Sequence, residues 1–89
     1  MYNDNEPVIQ TEAPNATLFV ENLPTNITGQ QLDVLFNQHT GFLRSRVIPN
    51  KAVAFIDFDN ELQSTSALNA LQRHPIDQQH RIKITFAKR

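Results

Sequence analysis

Apolar and polar residues alternate along four segments of this chain and recur at helical spacing in two others. Successive side chains of a β-strand point to opposite faces, whereas apolar residues three and four positions apart share one face of a helix. The spacing predicts strands over 17–21, 42–48, 51–58 and 81–87, a helix from 28 to about 39, and a second helix that opens at Asn60 and ends before Pro75. The order along the chain is therefore β-α-β-β-α-β.

The strand over 51–58 has two unlike faces. One face is uniformly apolar and predicts core: Ala52, Ala54, Ile56 and Phe58. The other face is mixed: Lys51, Val53, Phe55 and Asp57. An aromatic side chain that points away from the core of a small domain suggests a binding surface, because a solvent-facing position gives it no other partner.

The first and fourth strands divide clearly into two faces, and the second does not. Core positions of the first and fourth strands are Leu18, Val20, Ile82, Ile84 and Phe86, with Ala87 among the residues that face outward. The faces of the second strand hold Leu43, Ser45 and Val47 on one side and Arg44, Arg46 and Ile48 on the other. The loop Pro49-Asn50 predicts an antiparallel hairpin of the second and third strands.

Both helices begin with residues that cap an N-terminus. Thr28-Gly29-Gln30-Gln31 has the form of a capping box, and Asn60 is the predicted cap of the second helix. The apolar stripes are Leu32, Leu35 and Phe36 in the first helix and Ala67, Leu68 and Leu71, with Ala70 beside them, in the second. These elements predict an α+β, ferredoxin-like fold, in which two helices cover one face of a four-stranded antiparallel sheet and leave the other face open.

Length, composition and charge limit the classes of protein to which this chain can belong. The 89 residues suffice for one domain with one modest core, and the absence of Cys excludes disulfide and thiol chemistry. No apolar run approaches the ~18 residues of a membrane-spanning helix. Residues 1–14 hold three acidic residues and no basic one, which predicts a flexible acidic tail before a folded domain at 15–89.

The basic residues are clustered. From Asn15 onward the chain has eight basic and six acidic residues, a net charge of +2. All the basic residues except Arg73 lie in the stretches 44–46, 51 and 81–89. This distribution indicates a positively charged surface.

The first and third strands carry two motifs that together resemble the RNA recognition motif (RRM) family. Leu18-Phe19-Val20-Glu21-Asn22-Leu23 matches the shorter motif of the family, and 51–58 resembles the longer motif, K/R-G-F/Y-G/A-F-V-x-F/Y. The resemblance covers roughly residues 15–88. Segments such as 35–38, 54–61 and 84–88 are similar to the second, C-terminal RRM of the spliceosomal family that comprises the A protein of the U1 small nuclear ribonucleoprotein and the B-double-prime protein of the U2 particle.

The resemblance implies that single-stranded RNA binds weakly or moderately on the open sheet face, with its bases stacked on aromatic rings. The stacking positions correspond to Phe19, Val53 and Phe55, of which Val53 departs from the family pattern, as does Ala52 in place of Gly. The other positions that the resemblance assigns to RNA are Glu21, Asn22, Arg44, Arg46, Lys51, Lys83, Thr85 and Lys88. The basic residues among them would contact phosphates, whereas Glu21 and Asp57 would oppose binding.

The same resemblance gives expectations about the cellular role. It implies a monomeric domain of a two-RRM spliceosomal protein that acts in pre-mRNA splicing in the nucleus. The expected partner is a small nuclear RNA or pre-mRNA, with room for a spliceosomal protein as a second partner. No enzymatic activity, cofactor or membrane association is expected.

Two other functions stay open on the residues alone. An apolar patch around Val53 would suit a protein partner, so the sheet face could be an interaction module without RNA affinity. His74, Asp77 and His80 share a loop and could bind a metal, but their spacing fits no known ligand pattern, and a polar loop is the preferred interpretation.

Overall fold

The computed structural model describes residues 14–87, and it confirms the predicted order of elements. The strands are β1 Thr17–Glu21, β2 Phe42–Ile48, β3 Val53–Phe58 and β4 Lys83–Phe86, and the helices are α1 Gly29–Phe36 and α2 Glu61–Leu71. The predicted acidic tail, apart from Pro14, and the last two residues lie outside the described range. Neither helix within 14–87 has the length and apolar character needed to cross a bilayer.

The four strands form one antiparallel sheet in the order β2-β3-β1-β4. The two strands that carry the recognised motifs, β1 and β3, are therefore its central pair. One face of the sheet packs under both helices, and the buried residues of this core are Leu18, Val20, Ala54, Ile56, Phe58, Ile82 and Ile84 from the sheet side and Leu32, Phe36, Ala67 and Leu71 from the helices. The other face is left uncovered by the helices and carries the odd-numbered residues of β1 and β3.

Both predicted helix caps are confirmed. The Thr28 hydroxyl accepts from the Gln31 amide at 3.2 Å, and the Gln31 side chain accepts from the Thr28 amide at 3.0 Å, which completes the capping box. The Asn60 side chain accepts from the Gln63 amide at 2.9 Å. Helix α1 ends at Phe36 rather than near His39, because no apolar residue continues its buried stripe beyond Phe36.

A β-bulge resolves which face of β2 is buried. Phe42 pairs with Phe58 and Arg44 pairs with Asp57, so the register shifts between them and Leu43 becomes the extra residue. Leu43 is 58% exposed, contrary to its predicted grouping with Ser45 and Val47. Phe42 packs against the core in its place.

Ser45 is polar and nevertheless lies on the helix-covered side of β2. Its hydroxyl donates to the carboxylate of Asp33 on α1 at 2.6 Å and thereby joins the strand to the helix. Because this contact gives a polar side chain a partner beneath the helices, the face of β2 that holds Ser45 is covered although it is not uniformly apolar. Arg44 and Arg46, which alternate with Ser45, are left on the uncovered face.

The connection between β2 and β3 is longer than the predicted two-residue loop. Residues Pro49–Lys51 form a single 3-10 turn, in which the fixed φ of Pro49 favours the helical start, and Ala52 follows with a left-handed φ of 56°. Lys51 therefore precedes the strand instead of lying on it. The longer RRM motif has Gly at the position of Ala52, which is the residue type that tolerates this backbone conformation best.

Strand β4 is shorter than predicted, and its outer side is paired within the chain. The side-chain amide of Gln72 donates to the Ile84 carbonyl and accepts from the Ile84 amide, both at 2.7 Å. The outward backbone groups of Ile82 pair with Arg73 and His74, each at 3.0 Å. Ala87, predicted to face outward, is buried. Its carbonyl accepts a hydrogen bond from the side chain of Asn15 at 2.6 Å, and its amide donates to the Thr17 carbonyl at 2.9 Å.

The two glycines of the described range give opposite expectations for an added methyl group. Gly41 has a φ of 90°, and a Cβ there would collide with the Gln63 side chain, whereas a Cβ on Gly29 would meet only the Ser45 hydroxyl at 3.9 Å. We expect Gly41→Ala to lower the free energy of unfolding by about 1–3 kcal/mol. Gly29→Ala, the matched control, should change it by less than ~1 kcal/mol. Urea unfolding of both variants measures the difference, and equal effects would contradict the assignment of strain to Gly41.

Candidate nucleic-acid interface

Two phenylalanine rings lie side by side at the centre of the uncovered sheet face. Phe19 on β1 pairs directly with Phe55 on β3, and their ring centroids are 5.2 Å apart with an angle of 43° between the ring planes. Both residues are only half-buried. Their position follows from the alternation of the two central strands, which directs Leu18, Val20 and Ile56 to the core and the rings to the opposite side.

A cation and a hydroxyl flank the aromatic pair. Arg46 pairs with Phe55 across β2 and β3, and its guanidinium carbon lies 5.3 Å from the centroid of the Phe55 ring. This distance is within the range of a cation–π contact. Thr85 pairs with Phe19 across β1 and β4. A band of four side chains thus crosses the sheet in the order Arg46, Phe55, Phe19, Thr85.

An ion cluster adjoins this band at the start of β1. The Asp57 carboxylate accepts from the Thr17 hydroxyl at 2.8 Å and contacts the Nε of Arg44 at 2.9 Å and the Nη2 of Arg46 at 3.4 Å. Its side chain is 12% exposed, while those of Arg44 and Arg46 are 69% and 53% exposed. The three donors offset the cost of taking the carboxylate out of water.

The opposite end of the face is less aromatic. Val53 is half-buried beside its partner Ile48, and Glu21 pairs with Lys83 across β1 and β4. Ten of the eleven predicted RNA-contacting positions lie within the described residues, and the structure places most of these ten on the uncovered face of the sheet. Lys88 is outside that range.

Two of the predicted positions have a different setting from the rest. Asn22 ends β1 with a left-handed φ of 67°, and its side-chain amide donates to the Arg81 carbonyl at 2.8 Å. The amide of Asn22 thus joins the end of β1 to the segment before β4. Lys51 is exposed in the turn before β3, at the edge of the face.

Thr17 was not among the predicted site residues, yet its hydroxyl holds Asp57 in place. The alternation of β1 puts Thr17 on the same face as Phe19, so the signal was present in the sequence. What the sequence lacked was the register of β1 against β3, which sets Thr17 opposite Asp57.

The polar loop after α2 is closed by an internal contact. The Asp77 carboxylate and the Nδ1 of His80 are 2.9 Å apart, and this hydrogen bond lowers the pKa of Asp77 below its ordinary value. No group of three or more metal-ligating side chains occurs among residues 14–87. The preferred interpretation of this loop, a polar connection, accounts for the contact.

The family model described as RNA recognition motif matches residues 18–82. The chain belongs to the RNA recognition motif family, which confirms the resemblance identified from the two motifs. The class of this domain is therefore that of an RNA-binding domain and not of an enzyme.

Two curated relatives are named as proteins of small nuclear ribonucleoproteins. The chain is 46% identical over 88 residues to the U1 small nuclear ribonucleoprotein A of Drosophila melanogaster, covering 97% of this chain and 41% of that protein. It is 37% identical over 81 residues to the U2 small nuclear ribonucleoprotein B'' of Arabidopsis thaliana, covering 90% of this chain and 35% of that protein. The chain therefore spans well under half the length of these relatives.

A solved structure of similar fold holds a bound molecule with the sequence AGCACA. The C-terminal RRM domain of MEC-8 bound to AGCACA has a TM-score of 0.73 and 28% identity to this chain, covering 86% of this chain and 95% of that one. The predicted fold class is confirmed by such neighbours.

Proposed function

We propose that this domain binds single-stranded RNA on the uncovered sheet face, with Phe19 and Phe55 stacking two successive bases. The observation that carries the proposal is the pairing of these two rings in register on the central strands, half-exposed and unused by the core. Base stacking on an aromatic ring contributes about 1–3 kcal/mol per base and requires no particular base. The two rings therefore supply affinity more than sequence discrimination.

The charged residues of the face would act on the RNA backbone. Arg44, Arg46, Lys51 and Lys83 are exposed and can contact phosphates, with Lys88 as a further candidate outside the described range. Glu21 and Asp57 repel phosphates, and Val53 lacks the ring that the family pattern has there. Weak or moderate affinity that falls with rising salt is the expected combination.

The similarity to the U1 A and U2 B'' proteins supports a role in pre-mRNA splicing. We propose that the domain is one RRM of a nuclear spliceosomal protein, preceded by an acidic tail at 1–14, and that its RNA is a small nuclear RNA or pre-mRNA. We further propose that the domain is monomeric, with a spliceosomal protein as a second partner. Family membership and the intact aromatic pair favour RNA over a purely protein-binding sheet face.

Titration with a random-sequence single-stranded RNA pool, followed by amide chemical shifts, tests the proposed function. Shifts should concentrate in residues 18–22, 51–57 and 81–88 and decrease as salt is raised. Residues on the outer side of α2, such as Leu62, serve as internal controls because they lie behind the sheet. An absence of shifts at high RNA concentration would reject RNA binding and favour the protein-interaction alternative.

A further inference from the structure

The Asp57 carboxylate occupies the position on the sheet face where the two arginines of β2 converge. Each of its oxygens contacts one arginine, Oδ2 with Arg44 and Oδ1 with Arg46. We propose that Asp57 is an internal competitor of RNA phosphate, which keeps both arginines engaged and holds the Arg46 guanidinium on the Phe55 ring. This role of Asp57 rests on the proposed function, because the competition takes place at the same RNA-binding face.

Carboxylate and phosphate recruit the same donors. An arginine guanidinium binds either anion through its N–H groups, so a phosphate that approaches Arg44 or Arg46 has to displace Asp57 or share its donors. The arginine side chains are more than half exposed and can be reached by RNA. The competition is therefore direct, within one small cluster.

The acid is the buried member of the cluster and the arginines are its exposed members. Asp57 is buried between β1 and β2, and the Thr17 hydroxyl holds its Oδ1 at 2.8 Å. Ion pairs of exposed arginines are individually weak, because water and salt screen them. The arrangement lowers RNA affinity without abolishing it.

The same cluster limits access to an aromatic ring. The Arg46 guanidinium lies over Phe55 while its Nη2 contacts Asp57 at 3.4 Å. A base that stacks on this ring has to move the guanidinium aside or stack with it. Release of Arg46 from Asp57 therefore links phosphate contact to base stacking.

The test is Asp57→Asn with Glu61→Gln as the matched control. Both variants remove one negative charge, but Glu61 is exposed in the first turn of α2, on the helix-covered side of the sheet. We expect Asp57→Asn to tighten binding of a random single-stranded RNA pool about three- to tenfold. The slope of log K against log salt should steepen by about 1. Glu61→Gln should change affinity less than about twofold.

A background without the arginines isolates the mechanism. In Arg44→Gln/Arg46→Gln, the further change Asp57→Asn should raise the affinity by less than about twofold, because no arginine remains to be released and only the direct repulsion of phosphate by Asp57 is relieved. The amide spectrum of the core checks that each variant is folded, and Asp57→Ser replaces Asp57→Asn if the latter is not. Independently of RNA, Asp57→Asn should shift the Nε–H signal of Arg46 as the guanidinium leaves the ring.

The outcomes separate the inference from the proposed function. Binding at Phe19 and Phe55 that is unchanged or weakened by Asp57→Asn, or strengthened equally by Glu61→Gln, overturns the inference and leaves the proposed function standing. Failure of both the unaltered domain and Asp57→Asn to bind RNA overturns both.

Discussion

Phe55→Ala will lower the affinity for single-stranded RNA by about one to two orders of magnitude, since it removes one of two stacking platforms worth ~1–3 kcal/mol each. The ring has no core role, because it faces away from the helices and contacts Phe19 and Arg46 on the open face. We therefore expect the domain to stay folded, with a loss of about 1 kcal/mol in unfolding free energy from the lost aromatic contact. Fluorescence anisotropy with a labelled RNA pool measures the affinity.

Three further variants serve as controls. One keeps an aromatic ring at residue 55, and the other two remove a side chain at another position. Phe55→Tyr retains the ring and should bind RNA within about threefold of the unaltered domain, whereas Phe19→Ala should repeat the loss. Leu62→Ala removes an exposed apolar side chain from α2, far from the sheet face, and should have no effect. Unchanged binding by both Phe19→Ala and Phe55→Ala would exclude stacking as the source of affinity.

Phe36→Ala is expected to lower the free energy of unfolding by about 3–5 kcal/mol. Phe36 is 0% exposed and packs edge-on against Phe58 at 6.5 Å, and Phe58 in turn packs against Phe42 at 6.1 Å. The substitution leaves a cavity where α1 meets the sheet. Folded domains have roughly 5–15 kcal/mol of stability, and a domain this short is expected at the low end of that range. A loss of about 3–5 kcal/mol would therefore leave a large part of the population unfolded at 37 °C.

Val34→Ala on the same helix is the matched control for Phe36→Ala. Val34 is 59% exposed, so its truncation should change the unfolding free energy by less than ~0.5 kcal/mol. Urea denaturation followed by circular dichroism gives both values. A loss below about 1 kcal/mol in Phe36→Ala would mean that the core rearranges to fill the space, contrary to the packing described for α1.

The sequence predicts the central pair of strands well because their information is local. Leu18, Val20 and Ile56 alternate with Phe19 and Phe55, and strand periodicity alone assigns both sets to their faces. The capping residues Thr28 and Asn60 are equally local, since each contacts an amide three residues further along. Long-range pairing is not needed for either assignment.

The errors fall where a distant partner decides the local structure. The bulge at Leu43 depends on how β2 registers against β3, and Ala87 is buried where its carbonyl meets the side chain of Asn15, 72 residues away. The contact of the Asn22 side-chain amide with the carbonyl of Arg81, 59 residues along the chain, is also decided by a distant residue. Single-sequence patterns carry no signal for such contacts.

The candidate site was predicted as a set of residues, and its arrangement was not. Asp57 was expected to oppose RNA binding from the same face as Phe55. Its direct contacts with Arg44 and Arg46 follow from the β2–β3 register after the bulge, which the amphipathic pattern does not reveal. The acid and the two arginines therefore meet only in the folded sheet.

The paired outer side of β4 makes the two ends of the sheet chemically unequal. The backbone groups of Ile82 and Ile84 that a strand from another molecule would need are already bonded to Arg73, His74 and Gln72. Edge-to-edge aggregation and strand addition are thus disfavoured at β4. The β2 edge is then the edge of the sheet at which a strand of another molecule could still pair. There the bulge at Leu43 interrupts the regular row of donors and acceptors, so each edge has its own safeguard for solubility.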